Sequence, residues 1–131
     1  MAVIPVTPRP VNSAERAVLE KILATNFPGS AKLRKQIDTC EVVSQGAENS
    51  VSVDIEPTTA TVPAPDAPIG PVPVTATVQA LPGESLPLEG EILIWVGRGF
   101  ISGIEYAWYG ETMPTRLPSP ERIHIEADDT P

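Results

Sequence analysis

The chain has 131 residues, a length typical of one domain with a buried core, and 41% of its residues are hydrophobic. Its 17 acidic and 9 basic side chains give a net charge of −8, which argues against nucleic-acid binding and against docking on an anionic membrane surface. The single cysteine, Cys40, excludes an intramolecular disulfide and a cysteine-based zinc cluster.

The N-terminal sequence does not predict a targeting signal. The stretch MAVIPVTPRPVNSAER lacks a basic n-region, and prolines interrupt any apolar core within it. No apolar run in the sequence reaches the roughly 18 residues that are needed to cross a bilayer. Because a lone cysteine also fits a reducing compartment, we expect a soluble cytoplasmic protein.

Residues 1–11 are predicted to be an extended leader, because the prolines spaced along them disfavour helix. A first helix is predicted from Asn12, which can cap it, with Glu15 in the capping-box position. The predicted apolar stripe of this helix consists of Val18, Leu19, Ile22, Leu23 and Phe27.

A second, shorter helix is predicted over AKLRKQI, with Ser30 as its N-cap and with Leu33 and Ile37 as its apolar face. Four basic side chains on the two helices are predicted to form a solvent-exposed face. These are Lys21, Lys32, Arg34 and Lys35.

After Thr39 the hydrophobic pattern changes from helical to alternating. CEVV predicts a short strand, and SVSVDIE alternates strictly between apolar and polar residues. VTATVQAL alternates again, and RIHIEA is predicted to add a last strand with Ile123 and Ile125 facing inward.

Proline is unusually frequent, and residues 57–73 hold six of the 16 prolines without any helical stripe. We predict an extended surface connection of polyproline-II type. Within it, PAPDAP offers Pro65 and Pro68 as a PxxP match to ligands of proline-recognising modules. Such matches are common by chance, which favours the structural interpretation.

EILIWV and FISGIEYAWY flank GRG and predict a β-hairpin. We favour a two-residue turn at residues 98–99, which gives the facing pairs Val96 with Ile101 and Ile94 with Gly103. A three-residue turn over GRG would shift the register by one residue and change every facing pair. Because EILIWV hardly alternates, the hairpin is predicted to be central, with apolar material over both of its faces.

These elements predict an α+β domain in which two N-terminal helices pack on a mostly antiparallel sheet of about five strands. The domain is predicted to span residues 12–126, with residues 57–73 as a surface connection inside it. Residues 127–131 are predicted to be a mobile acidic tail.

The segment GRGFISGIEYAWYGETMPTRLPSPERI combines an aromatic strand, a short acidic turn and a proline-rich motif. It resembles the C-terminal half of a family of small bacterial proteins of unknown function, mostly from high-GC Gram-positive genomes, with the pattern LEYxWY…PxxLPxPExI. The N-terminal helix–FPG–helix pattern is similar too, whereas residues 44–87 show little resemblance. The resemblance implies a compact α+β domain and brings no activity with it. The matching positions are Ile104, Glu105, Tyr106, Trp108, Tyr109, Pro114, Leu117, Pro118, Pro120, Glu121 and Ile123.

Catalytic patterns are weak. Cys40 and His124 are each unique, but Cys40 lies in an apolar strand pattern and is interpreted as a buried structural cysteine rather than as a nucleophile. His124 alternates with isoleucines and is predicted to point outward. There is no GxSxG elbow, and GRGFISG lies at a hairpin turn, so neither a serine triad nor a phosphate-binding loop is predicted. No cofactor is expected.

Glu105 is the carboxylate of most interest, because it lies within the aromatic strand. It is interpreted as structural, with a tyrosine hydroxyl or an arginine as its partner, and the arginine candidates are Arg98, Arg116 and Arg122. The alternatives are solvent exposure and a functional carboxylate in a pocket. Asp54 and Glu56 could join Glu105 around a cation, but this spacing is common on strands and no metal site is predicted.

Five of the six aromatic side chains fall between positions 95 and 109. One interpretation is that these rings form the core. The other is that Trp108 and Tyr109, with Met113 and Tyr106, include an exposed interaction patch. Alternation sends Trp108 and Tyr109 to opposite faces, so at least one of them leaves the core unless both faces are covered.

The leading functional hypothesis is a non-enzymatic protein-interaction module, immunity-like or accessory, whose acidity suits a basic partner. The alternative is a small ligand-binding domain or enzyme with Glu105 in a pocket. A third hypothesis is a homodimer formed through the aromatic patch. A deep pocket containing Glu105 would favour the alternative, and an exposed aromatic patch would favour the interaction module.

Overall fold

The computed structural model describes residues 3–47, 50–81, 83 and 87–127. These residues form an α+β fold with two α-helices, as predicted, but the antiparallel sheet has eight strands rather than about five. The elements are β1 (Ile4–Pro10), α1 (Ser13–Leu23), α2 (Ser30–Gln36), β2 (Glu41–Gln45), β3 (Val53–Glu56), β4 (Gly70–Pro71), β5 (Val74–Gln79), β6 (Leu88–Gly97), β7 (Phe100–Trp108), a 3-10 turn (Pro120–Arg122) and β8 (Ile123–Ala127). The strand order is β1-β2-β3-β7-β6-β5-β8, and β4 pairs with β6.

The two strands that the sequence pattern did not predict, β1 and β4, both contain proline. β1 comes from the proline-spaced leader and lies at the sheet edge, where β2 is its one partner among the described strands. Proline is tolerated in an edge strand because one side of the strand needs no ladder hydrogen bonds. β4 lies in the proline-rich segment, where Gly70 pairs with Val96 and Pro71 with Trp95.

Helix α1 begins with the predicted capping box. The Asn12 side chain accepts a hydrogen bond from the Glu15 backbone N at 2.8 Å, and the Glu15 carboxylate accepts one from the Asn12 backbone N at 2.8 Å. The predicted apolar stripe packs into the core, with Phe27 partly buried. Its buried members are Val18, Leu19, Ile22 and Leu23.

Helix α2 begins at Ser30, but its N-cap is Gly29, so the prediction of a Ser30 cap was wrong. The chain enters this helix through a left-handed residue with a φ of 84°, a conformation that favours glycine. Ser30 Oγ instead accepts a hydrogen bond from the Phe27 backbone N at 3.3 Å. Leu33 and Ile37 are buried, as predicted.

The helices pack on one face of the sheet, which we call the inner face. On β6, Ile92, Ile94 and Val96 are buried on this face, whereas Leu93 is half-buried and Trp95 is 37% exposed on the opposite, outer face. The prediction that apolar material covers both faces of the hairpin was therefore wrong. The hairpin is nevertheless central, because β3 and β5 flank it.

The hairpin turn has two residues, as predicted. Gly97 pairs with Phe100, and the turn residues Arg98 and Gly99 both have positive φ, 56° and 83°. Positive φ at both positions is the geometry of a type I′ turn, whose twist matches that of the flanking strands. The predicted pair of Val96 with Ile101 is present.

A bulge at Ser102 changes the register two residues after the start of β7. Beyond it, Ile94 pairs with Ile104, so the predicted pairing of Ile94 with Gly103 was wrong. The extra residue places Ile104 and Tyr106 on the inner face and Glu105 on the outer face. The alternative three-residue turn predicts these inner positions for Ile104 and Tyr106, but it pairs Ile92 with Ile104, whereas the structure pairs Ile92 with Tyr106.

Residues 57–73 connect β3 to the far side of the hairpin and pass its turn. Val62 and Ile69 are exposed, in keeping with a surface connection, but Ala64 is fully buried. The Ala64 backbone N donates a hydrogen bond to the Gly99 carbonyl at 2.8 Å. The proline-rich segment is thus attached to the hairpin turn.

Within the described ranges, no helix is both long enough and apolar enough to cross a bilayer. Residues 128–131, which make up most of the predicted acidic tail, lie outside the described residues.

Candidate interaction surfaces

Trp108 ends β7 and marks the limit of the core. The register places it on the same face as Tyr106, where it faces Gly90 across the hairpin. Tyr106 is 3% exposed, whereas Trp108 is 41% exposed. The layer of buried side chains therefore ends between these two residues.

Trp108 lies in an open groove with a volume of about 790 Å³, which we call the Trp108 groove. Residues 110–118, which follow β7 without regular secondary structure, form one of its walls. Concave apolar surfaces of this size accept side chains or small molecules. The apolar lining consists of Leu88, Tyr106, Trp108, Met113, Pro114, Leu117 and Pro118.

Polar contacts hold one wall of the Trp108 groove in place. The Tyr106 hydroxyl donates a hydrogen bond to Glu89 Oε2 at 3.4 Å, and the same carboxylate oxygen pairs with the Arg122 guanidinium. Arg122 also donates to the Gln79 carbonyl at 2.8 Å. These contacts connect β5, β6, β7 and the 3-10 turn at the groove.

Gly90 allows the close approach of the strands beside Trp108. A Cβ atom at this position would lie 2.4 Å from the Ala107 carbonyl oxygen and 2.7 Å from Tyr106 Cε1. Any other residue would therefore displace the strand end that positions the Trp108 ring.

The four residues of the predicted patch divide between different environments. Trp108 and half-buried Met113 line the groove, but Tyr106 is buried and contributes only to its wall. Tyr109 is half exposed and lies beside Glu91, on the outer side. Partial burial and the neighbouring Glu91 carboxylate raise the pKa of the Tyr109 phenol above its usual value.

Glu105 is exposed on the outer face, and its Oε1 accepts a hydrogen bond from Trp95 Nε1 at 2.9 Å. The predicted arginine or tyrosine partner was wrong, because the bulge at Ser102 turns Glu105 toward the side of the sheet that carries Trp95. The groove around Glu105 is open, with a volume of about 430 Å³. This geometry differs from the deep pocket that the enzyme hypothesis requires.

A notch in the outer face lies at Gly103, which we call the Gly103 notch. Gly103 pairs with Asp54 of β3 on one side and with Trp95 of β6 on the other. Asp54 Oδ1 lies 3.7 Å from the position that a Cβ of residue 103 would take. Ser44 Oγ donates a hydrogen bond to Asp54 Oδ2 at 2.6 Å, which orients the carboxylate.

Charge is segregated between the two sides of the molecule. Strands β2 to β8 contain no lysine or arginine, and the strand registers place six carboxylates on the outer face. The four basic helix residues from Lys21 to Lys35 are exposed on the other side, as predicted. The six outer-face carboxylates are Glu41, Asp54, Glu56, Glu91, Glu105 and Glu126.

The acidic outer face was not predicted from the sequence, because Trp95 was interpreted as a core residue. The signal that could have identified it is the presence of carboxylates at polar positions of most strands, together with the absence of basic residues from strands β2 to β8. A tryptophan within such a pattern is placed on a solvated face.

The remaining candidate residues from the sequence are Cys40 and His124. Cys40 is buried, as predicted; its thiol lies 3.9 Å from the Ile37 carbonyl oxygen, and burial raises the pKa of the thiol. His124 is exposed on the outer face, as predicted, 3.3 Å from Glu126. In the part of the chain that the structure describes, no group of three or more histidine, cysteine or carboxylate side chains is placed to hold a metal ion.

Geometry thus distinguishes an apolar groove at Trp108 from an acidic, aromatic outer face around the Gly103 notch. The resemblance of the C-terminal half to an uncharacterised bacterial family stays a prediction. Comparison with protein-family models, curated proteins and solved structures finds no match to this chain.

Proposed function

We propose that this chain is a non-enzymatic protein-interaction module, immunity-like or accessory in role, that binds a protein partner through the Trp108 groove. The observation that supports this most is the 41% exposure of Trp108 beside Met113 and Leu117 in an open apolar groove. Tryptophan is enriched among the residues that contribute most to binding at protein interfaces. A groove of this kind accepts an apolar side chain of a partner and shields the ring from water.

The polar groups at the groove complement this role. Glu111 and Arg116 line it together with the apolar side chains, and polar groups around an apolar centre are typical of protein interfaces. The net charge of −8 favours a basic protein partner over nucleic acid or an anionic membrane. A cytoplasmic location is part of the same proposal.

The alternative, a pocket carboxylate at Glu105, has less support. Glu105 is exposed, and its Oε1 accepts a hydrogen bond from an indole N–H rather than facing an enclosed cavity. A carboxylate that acts as an acid or base requires a bound substrate within hydrogen-bond reach, which an open sheet surface positions poorly.

The test compares substitutions of two exposed apolar side chains. Trp108→Ala is expected to weaken capture of a native-host partner by roughly 30-fold, because a central aromatic anchor contributes about 2 kcal/mol or more. Ile69→Ala removes an 89% exposed side chain from the proline-rich segment, outside both grooves, and serves as the control. The affinity of the captured partner for each variant is then measured by titration with the purified proteins.

Equal capture by wild type and by a folded Trp108→Ala variant would remove the groove from the proposed function. Self-association of the wild type that is lost in Trp108→Ala would instead assign the groove to a homodimer. Circular dichroism and thermal unfolding of both variants verify that neither result comes from misfolding.

A further inference from the structure

We infer that the outer face of the sheet is a second docking surface, for a protein segment rich in arginine or lysine, and that Trp95 is its anchor. This inference does not depend on the Trp108 groove, because the two surfaces lie on opposite faces of the sheet and share no residue. Each surface can therefore fail its own test without affecting the other.

The first observation is the exposed apolar area at the centre of the outer face. Trp95 is 37% exposed, and Leu93 and Phe100 are half-buried on the same face. β6 and β7 lie in the middle of the sheet, so this area is not a fraying edge. An apolar patch surrounded by polar groups is typical of an interaction site.

The second observation is the sign of the charge around this patch. Six carboxylates share the outer face, and none of strands β2 to β8 contributes a lysine or arginine to offset them. Such a surface repels anionic partners and attracts cationic ones over about a Debye length. The complementary occupant is therefore cationic.

The third observation is the geometry of the Gly103 notch. Gly103 has no side chain, and an open groove of about 430 Å³ at this position is lined by Asp54 and Trp95 of the neighbouring strands. The hydrogen bond from Trp95 Nε1 to Glu105 fixes the indole ring and places a second carboxylate beside it. A guanidinium or ammonium group in the notch would meet the Asp54 carboxylate and the Trp95 ring together, an arrangement that combines ion pairing with a cation–π contact.

A separate protein segment fits this surface better than a second copy of the chain. Four exposed basic residues, from Lys21 to Lys35, lie on the helices, on the side away from the outer face. Of the other exposed arginines, Arg98 lies in the hairpin turn and Arg116 lines the Trp108 groove. Contact between the helix side of one copy and the outer face of another would be head-to-tail and would not close into a dimer. A cationic segment on a different protein carries no such restriction.

The two tryptophans of the chain allow a site-specific binding assay, because each lies on a different surface. Trp108→Phe leaves Trp95 as the only tryptophan, and Trp95→Phe leaves Trp108. A short oligo-arginine peptide, titrated at low ionic strength, is expected to change the emission of the Trp108→Phe protein in a saturable manner. The emission of the Trp95→Phe protein is expected to stay constant.

Substitutions that preserve shape test the role of the carboxylates. The double substitution Asp54→Asn with Glu105→Gln is expected to lower the affinity for the peptide by about tenfold. Charge pairs and a cation–π contact at a partly exposed site together contribute on the order of a factor of ten in affinity. The matched control is Glu20→Gln with Asp66→Asn, which removes the same net charge from exposed positions outside the outer face. This control is expected to lower the affinity by less than about twofold.

Equal weakening by both double variants would overturn the inference, because the peptide would then respond only to net charge. An emission change at Trp108 rather than at Trp95 would overturn it as well. Concentration-dependent self-association of the protein alone, abolished by Asp54→Asn with Glu105→Gln, would identify a second copy as the occupant and reject a cationic partner segment.

Discussion

Gln36 connects three parts of the chain that are far apart in sequence. Its Nε2 donates hydrogen bonds to the carbonyls of Val62 at 2.9 Å and Gly99 at 2.8 Å, and its Oε1 accepts one from the Ile101 backbone N at 2.9 Å. The side chain is buried, so these polar groups have little access to water. A single amide thus fastens α2 to the hairpin turn and to the proline-rich segment.

Gln36→Leu is expected to lower the free energy of unfolding by about 3 kcal/mol, because it leaves buried backbone groups without a partner. Chemical denaturation of the purified variant measures the change. Lys35→Leu, at the neighbouring exposed position of α2, is the control and is expected to change stability by less than about 0.5 kcal/mol. A loss for Gln36→Leu no larger than that of the control would show that water replaces the amide.

The burial of Cys40 has a consequence for stability at alkaline pH. Desolvation holds the pKa of the thiol above its usual value, so the folded protein keeps the proton to higher pH than the unfolded chain does. The contribution to stability is complete below the thiol pKa of the unfolded chain, about 8.5, and is lost as the pH rises toward the folded pKa. The sign follows because the unfolded chain binds fewer protons in this range.

As the pH rises above about 8.5, the wild type is expected to lose stability more steeply than Cys40→Ala, by up to about 1.4 kcal/mol per pH unit. Urea denaturation at a series of pH values measures both slopes. Cys40→Ala also creates a small cavity, which lowers stability at every pH but leaves the slope unaffected. Parallel pH profiles of the two proteins would rule out Cys40 as the titrating group.

At the scale of secondary structure, an ion pair joins the edge strand to the first helix. Arg9 of β1 donates two hydrogen bonds to the Glu15 carboxylate of α1, at 2.8 and 2.9 Å. The Glu15 side chain is 4% exposed, while Arg9 is 39% exposed. Glu15 therefore serves both the capping box and the attachment of β1.

Arg9→Met is expected to lower the free energy of unfolding by about 2 kcal/mol, because it leaves the buried Glu15 carboxylate without its cation. The loss stays moderate because Arg9 itself is partly exposed to water. Arg16→Met, which removes a similarly exposed arginine from its pairs with Glu20 and Asp38, is expected to cost less than about 1 kcal/mol. Thermal and chemical unfolding of the two variants provide the comparison. Equal losses would mean that β1 is held by its pairing with β2 rather than by the ion pair.

The elements that the sequence predicts well are those with local signals. The capping box at Asn12, the apolar stripe of α1 and the alternation of β3 and β5 all depend on residues a few positions apart, and the structure contains each of them. The opposite environments of Trp108 and Tyr109 also follow from alternation. Pairing between strands is different, because it depends on residues far apart in the chain.

The bulge at Ser102 shows this limit most clearly. The tight turn at residues 98–99 has a sequence signal in Gly99, whereas the bulge three residues later shifts the register without such a local signal. Moving Ile104 and Tyr106 inward also moves Glu105 beside Trp95, so one unpredicted residue decides the composition of the outer face. β1 was missed for a related reason, since its prolines are compatible with a strand only at the sheet edge.

At the scale of the whole molecule, like charges are concentrated on one side. On the outer face Glu41 of β2 directly faces Glu56 of β3, and no strand from β2 to β8 contributes a cation to separate them. Like charges that face each other across strands destabilise a sheet. The arrangement therefore lowers the stability of the free protein and leaves the outer face suited to a cationic partner.

Glu41→Lys replaces this repulsive pair by an attractive one and is expected to raise the free energy of unfolding by about 0.5–1 kcal/mol at low salt. The gain is expected to shrink as salt is added, because both the repulsion in the wild type and the attraction in the variant are screened. Glu111→Lys makes the same change of net charge in the exposed loop after β7 and serves as the control. If both substitutions raise stability equally, the net charge of −8 alone governs the effect, and the facing carboxylates of β2 and β3 do not.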